Sequence, residues 1–346
     1  MSSLHPLRGK IQTVEGLIDP EHLGPTLMHE HVLADLTPPA LASRGGLEVE
    51  ITLENVWEIH YHWVRHLGNS RLDQEGVAVQ ELKRLHEAGG RSLVELTCSG
   101  MKRNPPGLRR VARGSGVRII MGCGTYTEEF LPLEDRRKSV EALAQEMETD
   151  LLEGAEGTGI RAGIIGEIGC SHPLTDQESR GVRAAVLAQQ KTGACINIHP
   201  GRHPAAPFDI VRRIQQAGGD PSRVIISHID RTIFDLPTLL RLAETGCVLE
   251  FDFFGLESSH YPFQEIDLPN DGIRLRTLRS LIDEGHLPSL LISHDICTKT
   301  RLVRYGGHGY GHILSNILPL MRRKGFKDSE IDTLLVRNPR RLLTFA

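Results

Sequence analysis

The chain has no long hydrophobic run. Its most apolar stretches, such as Ile119-Ile120-Met121 and Leu290-Leu291-Ile292, soon meet glycine or polar residues. They fall far short of the roughly 18 residues that a membrane span needs. The first residues, Met1-Ser2-Ser3-Leu4-His5-Pro6, lack the apolar centre of a secretory leader. Both absences predict a soluble, cytoplasmic protein that does not engage a membrane. Cysteine is sparse. Cys98, Cys123, Cys170, Cys195, Cys247 and Cys297 include no C-x-x-C pair, which excludes a disulfide scaffold and leaves them as small hydrophobes beside strand-like runs. There is no excess of positive charge either: 40 Lys and Arg stand against 44 Asp and Glu. That excludes a nucleic-acid-binding protein driven by bulk charge. No low-complexity tract, dividing linker or internal repeat is evident beyond an alternation of strand and helix patterns.

The 346 residues, 39% hydrophobic and 24% charged, can build a sizeable core, and one large domain over 1–346 can use them all. Eight short apolar runs stand out: 26–28, 92–96, 117–121, 163–165, 195–198, 224–226, 247–249 and 290–292. Near-continuous apolar runs suit strands buried on both faces, the condition of a parallel sheet. Amphipathic segments lie between them. In 134–152, Val140, Leu143, Met147 and Leu151 recur at spacings of three and four. Segments 176–191, 236–244 and 271–283 stop at Gly193, Gly246 and Gly285. The rhythm predicts an α/β fold, a (β/α)₈ TIM barrel. The long interval after the first strand predicts two helices, 53–67 and 75–87, with Pro38-Pro39 and Gly45-Gly46 in a loop. A short β-hairpin within about 10–20 is expected outside the barrel.

In such a barrel the chemistry gathers at the C-terminal strand ends. There the chain carries His29-Glu30-His31, then Glu167, His199, His228, and His294-Asp295. A strand places residues two apart on one face, so His29 and His31 can both aim into the mouth. Imidazole and carboxylate are metal-ligand types. Taken singly, His199 or His228 reads as a satisfied core histidine, Glu167 as a buried ion pair and Asp295 as a helix cap. With 17 histidines in 346 residues, their recurrence at four strand ends beside an H-x-H makes metal binding the better reading.

These stretches also carry a resemblance. The runs 12–31, Ile165-Gly166-Glu167-Ile168-Gly169-Cys170, His199-Pro200-Gly201-Arg202, 227–235, His294-Asp295-Ile296 and 305–313 resemble the amidohydrolase superfamily. More closely, they resemble the phosphotriesterase family and its phosphotriesterase-related branch, from about residue 10 to the C-terminus. The resemblance implies two divalent metal ions. His29, His31 and Asp295 would hold the more buried ion, and His199 and His228 the other. Glu167 would bridge them where many relatives use a carboxylated lysine. Zinc suits such nitrogen and oxygen ligands; manganese, cobalt or iron also fit. A shared water, acidified to hydroxide, would attack a polarised carbonyl or phosphoryl group, with Asp295 moving the proton.

Phosphotriesterases proper are expected to have a histidine after strand seven, where this chain has Asp252, read as a relay, a substrate-orienting group or a structural acceptor. Arg202, Lys299 and Arg301 near the mouth, with Tyr126, suggest a small-molecule substrate bearing an anionic group. The branch is associated with amides of the N-acetyltaurine type, so N-acetyltaurine-like compounds or N-acyl amino acids are the expected substrates. A lactonase or phosphotriesterase on the same site is the alternative, and a non-catalytic ligand-binding barrel is the reading from another class. His308 and His312 are expected to be structural. The family makes a homodimer the expected assembly.

Overall fold

Eight parallel strands form one sheet: β1 (Thr26–Glu30), β2 (Ser92–Glu95), β3 (Arg118–Cys123), β4 (Ile164–Gly169), β5 (Ile196–His199), β6 (Val224–Ile226), β7 (Val248–Phe251) and β8 (Leu290–Ile292). Each pairs with its sequence neighbour. The computed structural model describes residues 7–37, 39–45 and 48–346. The remaining seam, β1 against β8, is closed beyond the strand ends. There the Asp295 N–H donates to the His29 carbonyl at 3.0 Å and the His31 N–H to the Ile296 carbonyl at 3.2 Å. Ser293 Oγ reinforces the seam by donating to the His29 carbonyl at 2.8 Å. The result is a (β/α)₈ barrel with all eight strands where the apolar runs predict them.

Helices cover the outside, and local chemistry sets their ends. Thr175 and Glu178 make a reciprocal capping box at the start of Asp176–Thr192, and Gly193 ends it with φ 73°. Ser139 accepts from the Ala142 N–H, so that helix begins at Val140 and not at 134 as predicted; Asp135–Arg137 is a 3₁₀ turn. Asn104 caps the helix Pro105–Ser115, which the sequence reading passed over, as it did Ala206–Gln216. The expected helix 53–67 is reduced to Val56–Tyr61, followed by 3₁₀ turns at Trp63–Arg65 and Leu67–Ser70. Its apolar residues do not form one core-facing stripe: Leu53 and Trp57 are exposed while Trp63 turns into the barrel mouth. Pro39 opens a short helix, Pro39–Arg44, instead of lying in a loop. Pro38 and Gly46, also assigned to that loop, lie outside the described residues, as do Met1 to Pro6.

The interior is layered. Val94, Ile120, Ile164, Ile225, Val248 and Leu291 share one buried cluster with Ile11 and Leu342. The N-terminal hairpin, Ile11–Thr13 paired with Gly16–Ile18, thus packs against the foot of the barrel. Period-two alternation then lifts Ser227, Glu250 and Ser293 into the layer above, and Asp252 and Asp295 above those. β1 and β4 carry register irregularities, between Leu27 and Glu30 and between Ile165 and Ile168. These shift the phase, so that His29 and Glu167 face inward although they are an odd number of residues from inward Met28 and Ile164. No helix among the described residues is long and apolar enough to cross a membrane.

β3 and β4 approach closely beneath Glu167. A Cβ on Gly122 would lie 2.1 Å from the Gly166 carbonyl oxygen. Backbone cannot retreat as a flexible side chain can. Gly122→Ala should therefore lower stability by about 1–3 kcal/mol or more, read as a lower urea midpoint with unchanged slope.

Candidate metal centre

The structure brings His29, His31, Glu167, His199, His228 and Asp295 together at the C-terminal mouth, all buried. Glu167 lies at the centre. Its Oε1 is 2.7 Å from His199 Nδ1, 2.9 Å from His228 Nε2 and 3.5 Å from His29 Nε2. Its Oε2 faces His31 Nε2 at 3.9 Å. Asp295 Oδ1 is 3.3 Å from His31 Nε2 and 3.7 Å from His29 Nε2. Three triads have their donor atoms within 4.8 Å of one another, His29–His31–Glu167, Glu167–His199–His228 and His29–His228–Asp252, and the first two share Glu167. Two site residues, His228 (φ 53°) and Asp295 (φ 51°), occupy the left-handed region that side chains rarely adopt. Such strain persists where the surroundings hold it.

Three of the imidazoles are backed by carboxylates. His228 Nδ1 meets Asp252 Oδ1 at 2.9 Å. His31 Nδ1 meets Thr97 Oγ1 at 3.0 Å, which donates to Glu95 Oε1 at 2.6 Å. His29 Nδ1 meets Ser227 Oγ at 3.0 Å, which donates to Glu250 Oε2 at 3.0 Å. These partners fix each ring with Nε2 turned to the centre, the arrangement that metal-binding histidines use. The glutamate inside His29-Glu30-His31 plays a different part. Glu30 accepts from His294 Nδ1 at 2.7 Å and from the Ile296 N–H at 2.9 Å, and so holds the turn carrying Asp295. Sequence reading missed Glu30, Glu95, Thr97, Ser227 and Glu250. Inward alternation along the strands was the available signal for the last two.

The electrostatics suit cations. Burial pushes the pKa of His199 down to about 3, leaving it neutral with a lone pair to give. Burial would lower His29 also, but Glu167, Asp252 and Glu250 outweigh it and hold its pKa well above the ordinary value. Burial would raise Glu167, yet His199 and His29 and the bonds to His199 and His228 keep it well below. His29 Nε2 is buried without a hydrogen-bond partner among the described residues. A buried carboxylate and an orphaned imidazole nitrogen, in two triads sharing one residue, fit divalent ions.

Not every expected residue lines the mouth. Asp252 lies beneath it, bound to the His228 ring and N–H. The residue of that turn which faces the cavity is Phe253. Lys299 turns outward to Asp73 at 3.3 Å. Arg301 is buried against the carbonyl oxygens of His294 and Asp295. Tyr126 and Arg202 do line the cavity of about 140 Å³ over the centre, and so does Arg231, which sequence reading did not single out. Trp63, Phe130, Phe253, Tyr261 and Phe263 supply aromatic walls. His294 and His312 pair with Glu30 and Asp271, away from the centre.

The match to the phosphotriesterase family spans residues 9–343. The chain belongs to the phosphotriesterase family. Phosphotriesterase-family relatives include the bovine N-acetyltaurine hydrolase, 45% identical over 98% of this chain and 99% of that protein. Among solved structures, a resiniferatoxin-binding protein from Rhodobacter sphaeroides superposes with a TM-score of 0.93 at 36% identity, covering 99% of this chain and 98% of the other. The Escherichia coli phosphotriesterase homology protein, complexed with phosphate in its active site, gives 0.78 at 30% identity, over 94% of this chain and all of that one. This phosphotriesterase-family member is a metal-dependent hydrolase.

Protons on His29 compete with a cation, so metal uptake should release protons and weaken as pH falls; calorimetry in buffers of different ionisation enthalpy would register both. Asp252→Asn keeps the shape but removes the charge behind His228, and should loosen metal by about 10–100-fold in chelator competition.

Proposed function

We propose that this hydrolase cleaves the amide bond of small anionic N-acyl compounds, N-acetyltaurine and N-acyl amino acids, over a pair of divalent ions. His29, His31 and Asp295 would hold one ion, His199 and His228 the other, with Glu167 between them. The observation that carries the pair is the sharing of Glu167 by two ligand triads. Zinc is the first expectation for this donor set, with manganese, cobalt or iron as substitutes. When bound, the ions polarise the acyl oxygen and acidify a water molecule.

The chain's own residues do the rest. Asp295 remains a carboxylate, because its bond to His31 and the nearby His29 and His228 outweigh burial and lower its pKa. It faces the cavity and can take a proton and hand it to the departing amine. Tyr126 Oη lies 3.4 Å from His199 Nδ1, and burial raises its pKa, so it stays a hydrogen-bond donor toward a substrate oxygen. The aromatic walls keep water away from the acyl group. The amide substrate is supported by the names of relatives such as the bovine enzyme, which match almost end to end.

The test is turnover by metal-loaded protein of N-acetyltaurine, N-acetyl amino acids, a homoserine lactone and an aryl phosphotriester. Amides should dominate, and chelation should abolish their cleavage until zinc is restored. Asp295→Asn should lower kcat by about 100-fold or more. Triester turnover faster by orders of magnitude, or hydrolysis that survives complete metal removal, would refute the reading.

A further inference from the structure

Two arginines line the cavity, one buried and one half-buried, and neither meets a carboxylate. Arg231 closes the Ile229–Arg231 turn after β6 and is only 2% exposed. Its Nη2 donates to the Pro200 carbonyl at 3.1 Å and lies 3.2 Å from His199 Nε2. Arg202 follows β5. Its Nε donates to Tyr261 Oη at 2.8 Å, and its guanidinium lies 4.3 Å from the centre of the Phe263 ring. Among the described residues neither forms an ion pair. Elsewhere Arg274 pairs with Asp230 and Asp271 and Arg103 with Asp150, while Arg301, also without an ion pair, is held by the carbonyl oxygens of His294 and Asp295. Glu129 also lines the cavity, but it is an exposed rim residue with no bond to Arg202. A desolvated charge without a counter-charge is costly. Arg231 is such a charge, and the half-buried Arg202, with only exposed Glu129 near it, lines the same cavity.

The geometry also sets where an anion would lie. With a cation taking the Nδ1 lone pair of His199 beside Glu167 and His228, Nε2 would carry the hydrogen. Nε2–H and Arg231 Nη2, 3.2 Å apart, would then both be donors in want of an acceptor. An oxygen of a sulfonate or carboxylate would satisfy both. The His199 ring thus separates the reacting end of the cavity from its cationic end.

We propose that Arg231 and Arg202 form an anion subsite that selects amides whose acidic group is two carbons from the amide nitrogen. The subsite rests on the amidase reading. From the acyl carbon to the sulfur of an extended N-acetyltaurine is about 5 Å with ordinary bond lengths, enough to reach past one imidazole. A one-carbon spacer puts its acidic carbon only about 4 Å from the acyl carbon, a shorter reach past the ring, and a neutral substrate leaves both guanidinium groups unpaired. Arg231 and Arg202 are specificity residues here, and Tyr261 is the positioning residue of Arg202.

The experiment has two arms. The first titrates 1-propanesulfonate, which has no bond to cleave, into metal-loaded wild type, Arg202→Met and Arg231→Lys by calorimetry, with metal content measured for each. Each variant should bind it about 10–100-fold more weakly. Arg202→Met is the variant least able to disturb His199, and its result decides if Arg231→Lys loses metal. The second arm compares N-acetyltaurine, N-acetyl-β-alanine, N-acetylglycine and neutral N-acetylethanolamine. Wild type should prefer the first two. Arg202→Met should lose kcat/KM on them, chiefly through KM, by a factor several times larger than its effect on the neutral amide. Equal binding of the sulfonate by wild type and Arg202→Met, or a preference for N-acetylglycine, overturns the subsite. Should wild type cleave no amide at all, the amidase reading falls, while the sulfonate titration still decides the anion subsite.

Discussion

A single carboxylate organises the mouth of this barrel. Glu167 is buried and faces four imidazoles from three other strands' ends, at 2.7 to 3.9 Å. A charge so desolvated is stable only with positive charge around it. Protons on the histidines can provide that, and divalent ions provide it better. Every other feature of the site answers the same constraint. Asp252, Glu95 through Thr97, and Glu250 through Ser227 turn their histidines to present nitrogen toward the centre. The outer carboxylates make the imidazoles better donors, and the layered interior excludes the water that would otherwise screen the cluster.

The fourth histidine is the exception. His199 has no carboxylate behind it; its far nitrogen meets Arg231 and its ring lies edge-on to Tyr126. It is the imidazole that belongs to the centre and to the substrate cavity at once. The cavity wall beside it is aromatic and cationic, carried by the turns after β3, β5, β6 and β7.

Much of this was legible in the residues. The eight apolar runs mark the strands because a parallel sheet covered on both faces admits little else. The metal-type residues stand out because each directly follows such a run. Other parts were hidden for physical reasons. The 53–67 segment is apolar enough to read as a helix, but its residues serve the mouth and surface rather than one buried stripe. Asp252 and Phe253 are neighbours, and sequence alone does not say which of them faces the cavity; strand alternation sends Asp252 inward beneath His228. Lys299 reads like a cavity cation, yet Asp73, far earlier in the chain, claims it. The Glu95–Thr97–His31 chain joins two strands, and nothing local announces such a link. Arg231 sits inside a stretch that resembles the family, but its lack of an acidic partner is a property of three-dimensional neighbours.

The seam between β1 and β8 ties the His29 and His31 backbone to Asp295 and Ile296, so two of the clustered imidazoles and the turn carrying Asp295 come from opposite ends of the polypeptide. During synthesis the histidines near residue 30 emerge early and wait for the segment around 295. In a growing chain the cluster therefore gains Asp295, and the seam that closes the barrel around it, only after most of the length has been added.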